Sequence, residues 1–131
     1  MLRVQSPLPD DLERLASDVI GCCVAVHRVL GPGLLEAIYA RAVAIELTVH
    51  DIAFEVEKSF PVRYRNTLLC YQRLDLLVGG TLVVEVKSVE HLDSIHVAQV
   101  LSYLHVAGAR LGLLINFNVP ILKYGIRRVI L

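Results

Sequence analysis

The chain lacks any apolar run long enough to cross a bilayer. Its longest uncharged apolar stretches, residues 19–26 and 111–117, fall well short of the roughly 18 residues a spanning helix needs. The 55% hydrophobic content and the mean hydropathy of +0.58 are therefore expected to fill a core. A signal peptide is not expected either, because Asp10, Asp11, Glu13 and Arg14 stand where its apolar segment should be. An excess of either charge is missing: 13 basic and 13 acidic residues give a formal net charge of zero. That argues against a nucleic-acid binder that uses its whole surface and leaves room for a local basic patch. The three cysteines, Cys22, Cys23 and Cys70, form no CxxC spacing and no even framework. A reduced, cytoplasmic protein with all three thiols as small core hydrophobes is the expectation. Repeats and low-complexity tracts are absent, and 131 residues suit one domain over 1–131, with an N-terminal helix at 9–30 and a core at 33–131.

What is present concentrates in residues 73–87, RLDLLVGGTLVVEVK. Two β-type runs flank Gly79 and Gly80, which predicts a hairpin. Its leucines and valines suit strands buried on both faces, yet Asp75, Glu85 and Lys87 sit among them. Ionised groups there are costly unless paired or bound to a metal. With a loop of Gly79 and Gly80 alone, Asp75 would face Val84 and project from the face opposite Glu85 and Lys87. A three-residue loop, for instance Val78 to Gly80, restores the parity and puts Asp75, Val83, Glu85 and Lys87 on one face. From the hairpin alone, a metal site and a structural ion pair of Lys87 with Asp75 or Glu85 stand on equal terms.

Around this hairpin the chain reads as alternating helices and strands. A first helix runs from about residue 9 to the Gly31-Pro32-Gly33 break, with His27 near its end as a capping or surface residue. A second helix is predicted over 34–50, with Leu35, Ile38, Tyr39, Ala42, Val43 and Leu47 inward and Glu36 in the first turn, where the helix dipole favours an acid. Residues 54–64 alternate as a strand near a sheet edge, broken at Pro61 and followed by a turn near Asn66. A third helix, capped by Asp93 or Ser94 and ended by Gly108, lines up His96, Gln99 and Tyr103 and turns Leu101 and Leu104 to the core. Residues 110–117 form a buried strand and 121–131 a closing one. The fold class is thus α/β, a mixed sheet with helices on its faces.

Together the stretch 33–39 (GLLEAIY), Asp75, Glu85-Val86-Lys87, Gln99 through Leu104 and residues 112–117 (GLLINF) resemble the GxxExxY protein family, a group in the PD-(D/E)XK nuclease-like superfamily. The resemblance spans about 18–128, and Leu74 stands where the superfamily motif has its proline. It implies a single-domain restriction-endonuclease-like sandwich with an αβββαβ core. It further implies that Asp75, Glu85, the carbonyl of Val86 and Glu36 hold Mg²⁺ or Mn²⁺, and that Lys87 serves the attacking water. Gln99 and Tyr103 would flank the site. Oxygen donors of this kind suit those ions better than zinc. The implied activity is metal-dependent hydrolysis of phosphodiester bonds in DNA or RNA.

Nucleic acid would be held by a local patch from Arg63, Arg65, Lys123, Arg127 and Arg128, and no membrane is involved. The competing readings are a catalytically silent module of the same fold that binds nucleic acid or a protein partner, and a plain scaffold in which Lys87 neutralises the acids. A domain this small and apolar is also expected to form a homodimer.

Overall fold

The apolar periodicity after Pro9 becomes helix α1, Asp10–Leu30, in the computed structural model, which describes residues 6–131. Asp10, Asp11 and Glu13 occupy its first turn, where unpaired backbone N–H groups favour negative charge. Leu12, Ala16, Val19, Cys23 and Val26 recur at helical spacing and form its buried stripe. Gly31, at φ 67°, ends it. Helix α2, Glu36–Val49, buries Tyr39, Val43 and Leu47, one residue per turn. Leu35 and Ile38, expected inward, are exposed. A helix lying on a sheet needs a single buried stripe, and those three residues already supply it.

The segment expected as one strand is two. Strand β1 covers Phe54–Val56 and β2 covers Ser59–Tyr64, and the break falls at Glu57, φ 51°, not at Pro61. Pro61 stays inside β2 because β2 pairs only with β3, Thr67–Arg73, in a separate two-stranded ribbon. A ribbon has two free edges, so the missing N–H can point away from the partner. Arg65 and Asn66, both at positive φ, make the turn between β2 and β3.

Strands β4, Leu76–Val78, and β5, Leu82–Lys87, form the expected hairpin. Helix α3, Ser94–Ala107, ends at a left-handed Gly108. Strand β6 is Leu111–Asn116. The closing strand is shorter than expected: a 3-10 turn, Leu122–Gly125, precedes β7, Ile126–Ile130. The main sheet runs β1-β4-β5-β6-β7, parallel only between β5 and β6. It is the mixed sheet foreseen, with β1 at one edge.

Alternation along the strands sorts the core into two layers. Leu76, Val78, Val84, Val86, Leu113 and Ile115 face α1 and α2, while Leu77, Val83 and Leu114 face α3. Helix α3 approaches β6 closely at Gly112, where an added Cβ would lie 2.5 Å from Val100 Cγ1. Three smaller expectations fail. Cys22 and Cys23 are buried but Cys70, on the ribbon, is exposed. Leu101 is exposed, since Val100 and Leu104 already fill the buried stripe of α3. His27 is buried, 2.8 Å from the Val119 carbonyl through Nε2, because the chain after β6 folds over the end of α1.

Candidate metal and nuclease site

The loop of the β4–β5 hairpin decides whether the acids can meet. Val78 pairs with Leu82, which leaves Gly79, Gly80 and Thr81 as a three-residue connection with both glycines at positive φ. The odd loop is present, placed one residue later than the example drawn from the sequence. The ladder ends at Leu76↔Val84 and the backbone bends at Asp75, so hydrogen bonds rather than register bring Asp75 to Glu85.

The two carboxylates then replace ladder bonds. The Asp75 backbone N–H donates to Glu85 Oε1 at 2.9 Å, and the Val86 N–H donates to Asp75 Oδ2 at 2.9 Å. Each acid thus holds the strand that carries the other. The two carboxyls also lie within side-chain hydrogen-bonding reach of each other, so a protonated Glu85 donates to Asp75.

Val86 adds a third oxygen. The N–H and C=O of one strand residue point to the same side. The Lys87 carbonyl bonds the Phe117 N–H on the β6 side, whereas the Val86 N–H faces Asp75. The Val86 carbonyl therefore faces the acids too.

Burial and mutual repulsion both act on the pair. Glu85 is 3% exposed, and burial, then the negative charge of Asp75, push its carboxyl up to about 8. The nearby Lys87 ammonium pulls the other way. Among the described residues no ion pair within bonding distance involves Lys87, so the pair of Lys87 with Asp75 or Glu85 does not fill the site. Tyr103 comes in from α3, half-buried, its phenol raised by burial and then by Glu85 and Asp75.

The remaining predicted residues are placed less centrally. Gln99 lies one turn before Tyr103 on α3 and is exposed. Glu36, exposed at the start of α2, accepts from the Ser88 N–H at 3.4 Å. It lines, with Asp75, Arg41, Val56 and Glu57, a groove of about 460 Å³ between α2 and the β1–β4 edge. Glu85 shares the parity of Val83 and so faces α3; Asp75 sits between the two. Among the described residues no three His, Cys, Asp or Glu side chains converge closely enough to hold a metal by themselves. The chemistry of the donors fits a hard divalent ion nonetheless: two carboxylates and one carbonyl.

The basic candidates divide between two places. Arg63 and Arg65 are exposed at the end of the β2–β3 ribbon. Lys123, Arg127 and Arg128 lie near the β7 edge. Arg127 is opposite Leu114 and so on the α3 face, as Glu85 is. Arg128 points to the other face, where it pairs with Glu13 at 2.6 Å.

Residues to which the sequence reading gave no part in the site hold it together. Ser88 Oγ donates to the Leu34 carbonyl at 2.6 Å, joining the end of β5 to the start of α2. Asn116, 2% exposed, accepts from the Val89 N–H and donates to its carbonyl, clamping the chain just after Lys87. An asparagine inside an apolar strand was the available signal. Tyr39 is fully buried, donates to the Gly31 carbonyl, accepts from the Leu34 N–H and stacks on Phe117. It locks the α1–α2 turn.

A family model described as the PD-(D/E)XK nuclease superfamily matches residues 13–129. The chain belongs to that superfamily, and its three helices and mixed five-stranded sheet are consistent with the restriction-endonuclease-like fold. No match was found among curated proteins or solved structures.

Proposed function

We propose that this member of the PD-(D/E)XK nuclease superfamily hydrolyses phosphodiester bonds of DNA or RNA at the ends of β4 and β5, with Mg²⁺ or Mn²⁺ as cofactor. The observation that carries the reading is the mutual clasp of Asp75 and Glu85, which brings two acids into contact at the ends of neighbouring strands. Asp75, Glu85 and the Val86 carbonyl would hold the ion directly, and Glu36 would contribute through water across the groove it shares with Asp75. A bound ion of this kind supplies Lewis-acid polarisation of the phosphate and a more acidic water.

The chain's own side chains do the rest. Lys87, on the Glu85 face, orients the attacking water and offsets the charge that builds on the phosphate. Tyr103 and Gln99 position water or a phosphate oxygen from α3. Nucleic acid is held locally by Arg63 and Arg65 on the ribbon and by Lys123, Arg127 and Arg128 near β7. The cluster at 33–39 supports placement within the GxxExxY group, and the free thiols support a cytoplasmic setting.

The test is hydrolysis of labelled single-stranded and duplex DNA and RNA with Mg²⁺ or Mn²⁺, against EDTA. Glu85→Gln and Asp75→Asn should both remove cleavage. Metal binding by calorimetry without cleavage of any substrate would establish the silent module instead.

A homodimer is proposed on the outer face of α2. Leu35, Ile38, Ala42, Ile45 and Val49 repeat at alternating spacings of three and four, and Leu35, Ile45 and Val49 are 73%, 61% and 68% exposed. Arg41 and Glu46 flank the stripe on opposite sides, five residues apart. A parallel pairing about a two-fold axis sets Arg41 of each copy against Glu46 of the other.

A further inference from the structure

Charge is segregated along this neutral chain. Residues 10–57 carry nine acids against three arginines, whereas residues 58–73 hold Lys58, Arg63, Arg65 and Arg73 and no acid at all. That basic stretch is the β2–β3 ribbon and its root. Lys58 and Arg73, at the root, are paired with Glu55 and Glu57. Among the described residues Arg63 and Arg65 have no acidic partner, so the unneutralised positive charge lies near the tip.

The same ribbon exposes aromatic rings. Its inner face is anchored on α3 by Phe60, partly buried against the α3 core, and by Gln72 Nε2, which donates to Ser102 Oγ at 3.4 Å. Tyr71 pairs with Pro61 on the outer face, away from Phe60 and Gln72, and Arg63 follows where the register of the ribbon shifts after Val62. Tyr71 and Tyr64 are 64% and 63% exposed, with the Arg65 guanidinium over the Tyr64 ring at 5.8 Å. Exposed tyrosine rings and unpaired arginines on one element are the two components of a single-strand binding surface.

The ribbon is also rigidly joined to the acids. The Leu74 N–H donates to the Lys58 carbonyl, and the Glu57 N–H donates to the carbonyl of Asp75 itself. Tyr71 precedes Asp75 by four residues, a reach of about 13 Å at strand rise, or a few nucleotides along a strand.

We infer that the β2–β3 ribbon is an arm for single-stranded nucleic acid, with Tyr71 and Tyr64 stacking on bases and Arg63 and Arg65 on phosphates. The inference rests on the nuclease reading for its purpose and names the substrate class. Paired bases within a duplex hide their faces, so exposed tyrosines engage only unpaired ones, while arginines track the backbone.

Binding is measured on the full chain in EDTA, where no hydrolysis occurs, by fluorescence anisotropy. The probes are a labelled thymidine oligomer of about 12 nucleotides, within the usual site size, and a duplex of the same length. The single strand is expected to bind more tightly. Tyr71→Leu should weaken it about tenfold, with Tyr71→Phe close to wild type. Arg63→Gln should flatten the dependence on salt by about 0.7 in log–log slope. A bromouridine-substituted oligomer irradiated with the wild-type protein should crosslink within residues 59–73.

Duplex binding equal to or tighter than the single strand, an unchanged Tyr71→Leu, or crosslinks outside the ribbon would each overturn the arm. Cleavage of duplex with Mg²⁺ by a protein that ignores the thymidine oligomer overturns the arm and leaves the nuclease standing. Ribbon-dependent binding without cleavage of any substrate supports the arm and removes the nuclease.

Discussion

Asp75 and Glu85 hold each other's strands: the Asp75 N–H lies 2.9 Å from Glu85 Oε1, and Asp75 Oδ2 takes the N–H of Val86, the residue after Glu85. Two carboxylates in such proximity cannot both ionise cheaply without a cation, and four expected outcomes follow from this and the surrounding structure.

The metal-free protein should lose stability as pH rises. Glu85 is raised from 4.5 to about 8 by burial and by Asp75, so the folded state binds its proton more tightly than the unfolded chain does. Its contribution is therefore full below the unfolded value and is lost as pH climbs through the folded one. In EDTA the melting temperature should fall by several degrees across that window, and Glu85→Gln should flatten the fall. Mg²⁺ or Mn²⁺ should restore stability most at the alkaline end, because the ligand must be deprotonated. Identical pH profiles for wild type and Glu85→Gln would refute this.

Lys87→Ala should separate binding from chemistry. The ammonium has no bonded acidic partner, so its removal leaves the fold and the ion's ligands in place. Cleavage should fall about 100-fold or more, as for loss of one transition-state donor, with metal affinity by calorimetry near wild type. Cutting at the wild-type rate would place the chemistry elsewhere.

Tyr39→Phe should destabilise without touching the acids. It leaves the Gly31 carbonyl and the Leu34 N–H without their buried partner, at a cost of about 1–3 kcal/mol. Urea unfolding reads the loss, and metal binding by the folded variant should be unchanged. A stability equal to wild type would show that water replaces the hydroxyl and that the turn does not depend on it.

Ile45→Glu addresses self-association. The side chain is 61% exposed in the single chain, so the charge costs the isolated fold little, but it lies mid-stripe in the proposed pairing. Sedimentation at micromolar concentration should show wild-type dimer and mutant monomer. A monomeric wild type would dismiss the pairing.

The helices and the residues of the acid hairpin were legible in the sequence because their signals are local. Helical spacing, the Gly31 and Gly108 stops and the two apolar runs around Gly79 and Gly80 depend on neighbours a few positions apart. The same local reading could only state a condition for Asp75 and Glu85, that the loop be odd. Whether it was depended on Val78 pairing with Leu82, a choice made by the sheet as a whole. The ribbon β2–β3 was half hidden for a related reason: most of its apolar residues are exposed, and alternation cannot tell a strand in the main sheet from one outside it.

Composition and periodicity by themselves thus determined an α/β chain with acids embedded in buried strands. Tertiary structure alone decided where Glu36 went. Helix α2 packs on one face of the sheet and Glu85 points to the other, so an acid that the sequence could place beside the pair stands across a groove from it. Side-chain direction in a sheet is set by register, and register is set by contacts between residues far apart in the chain.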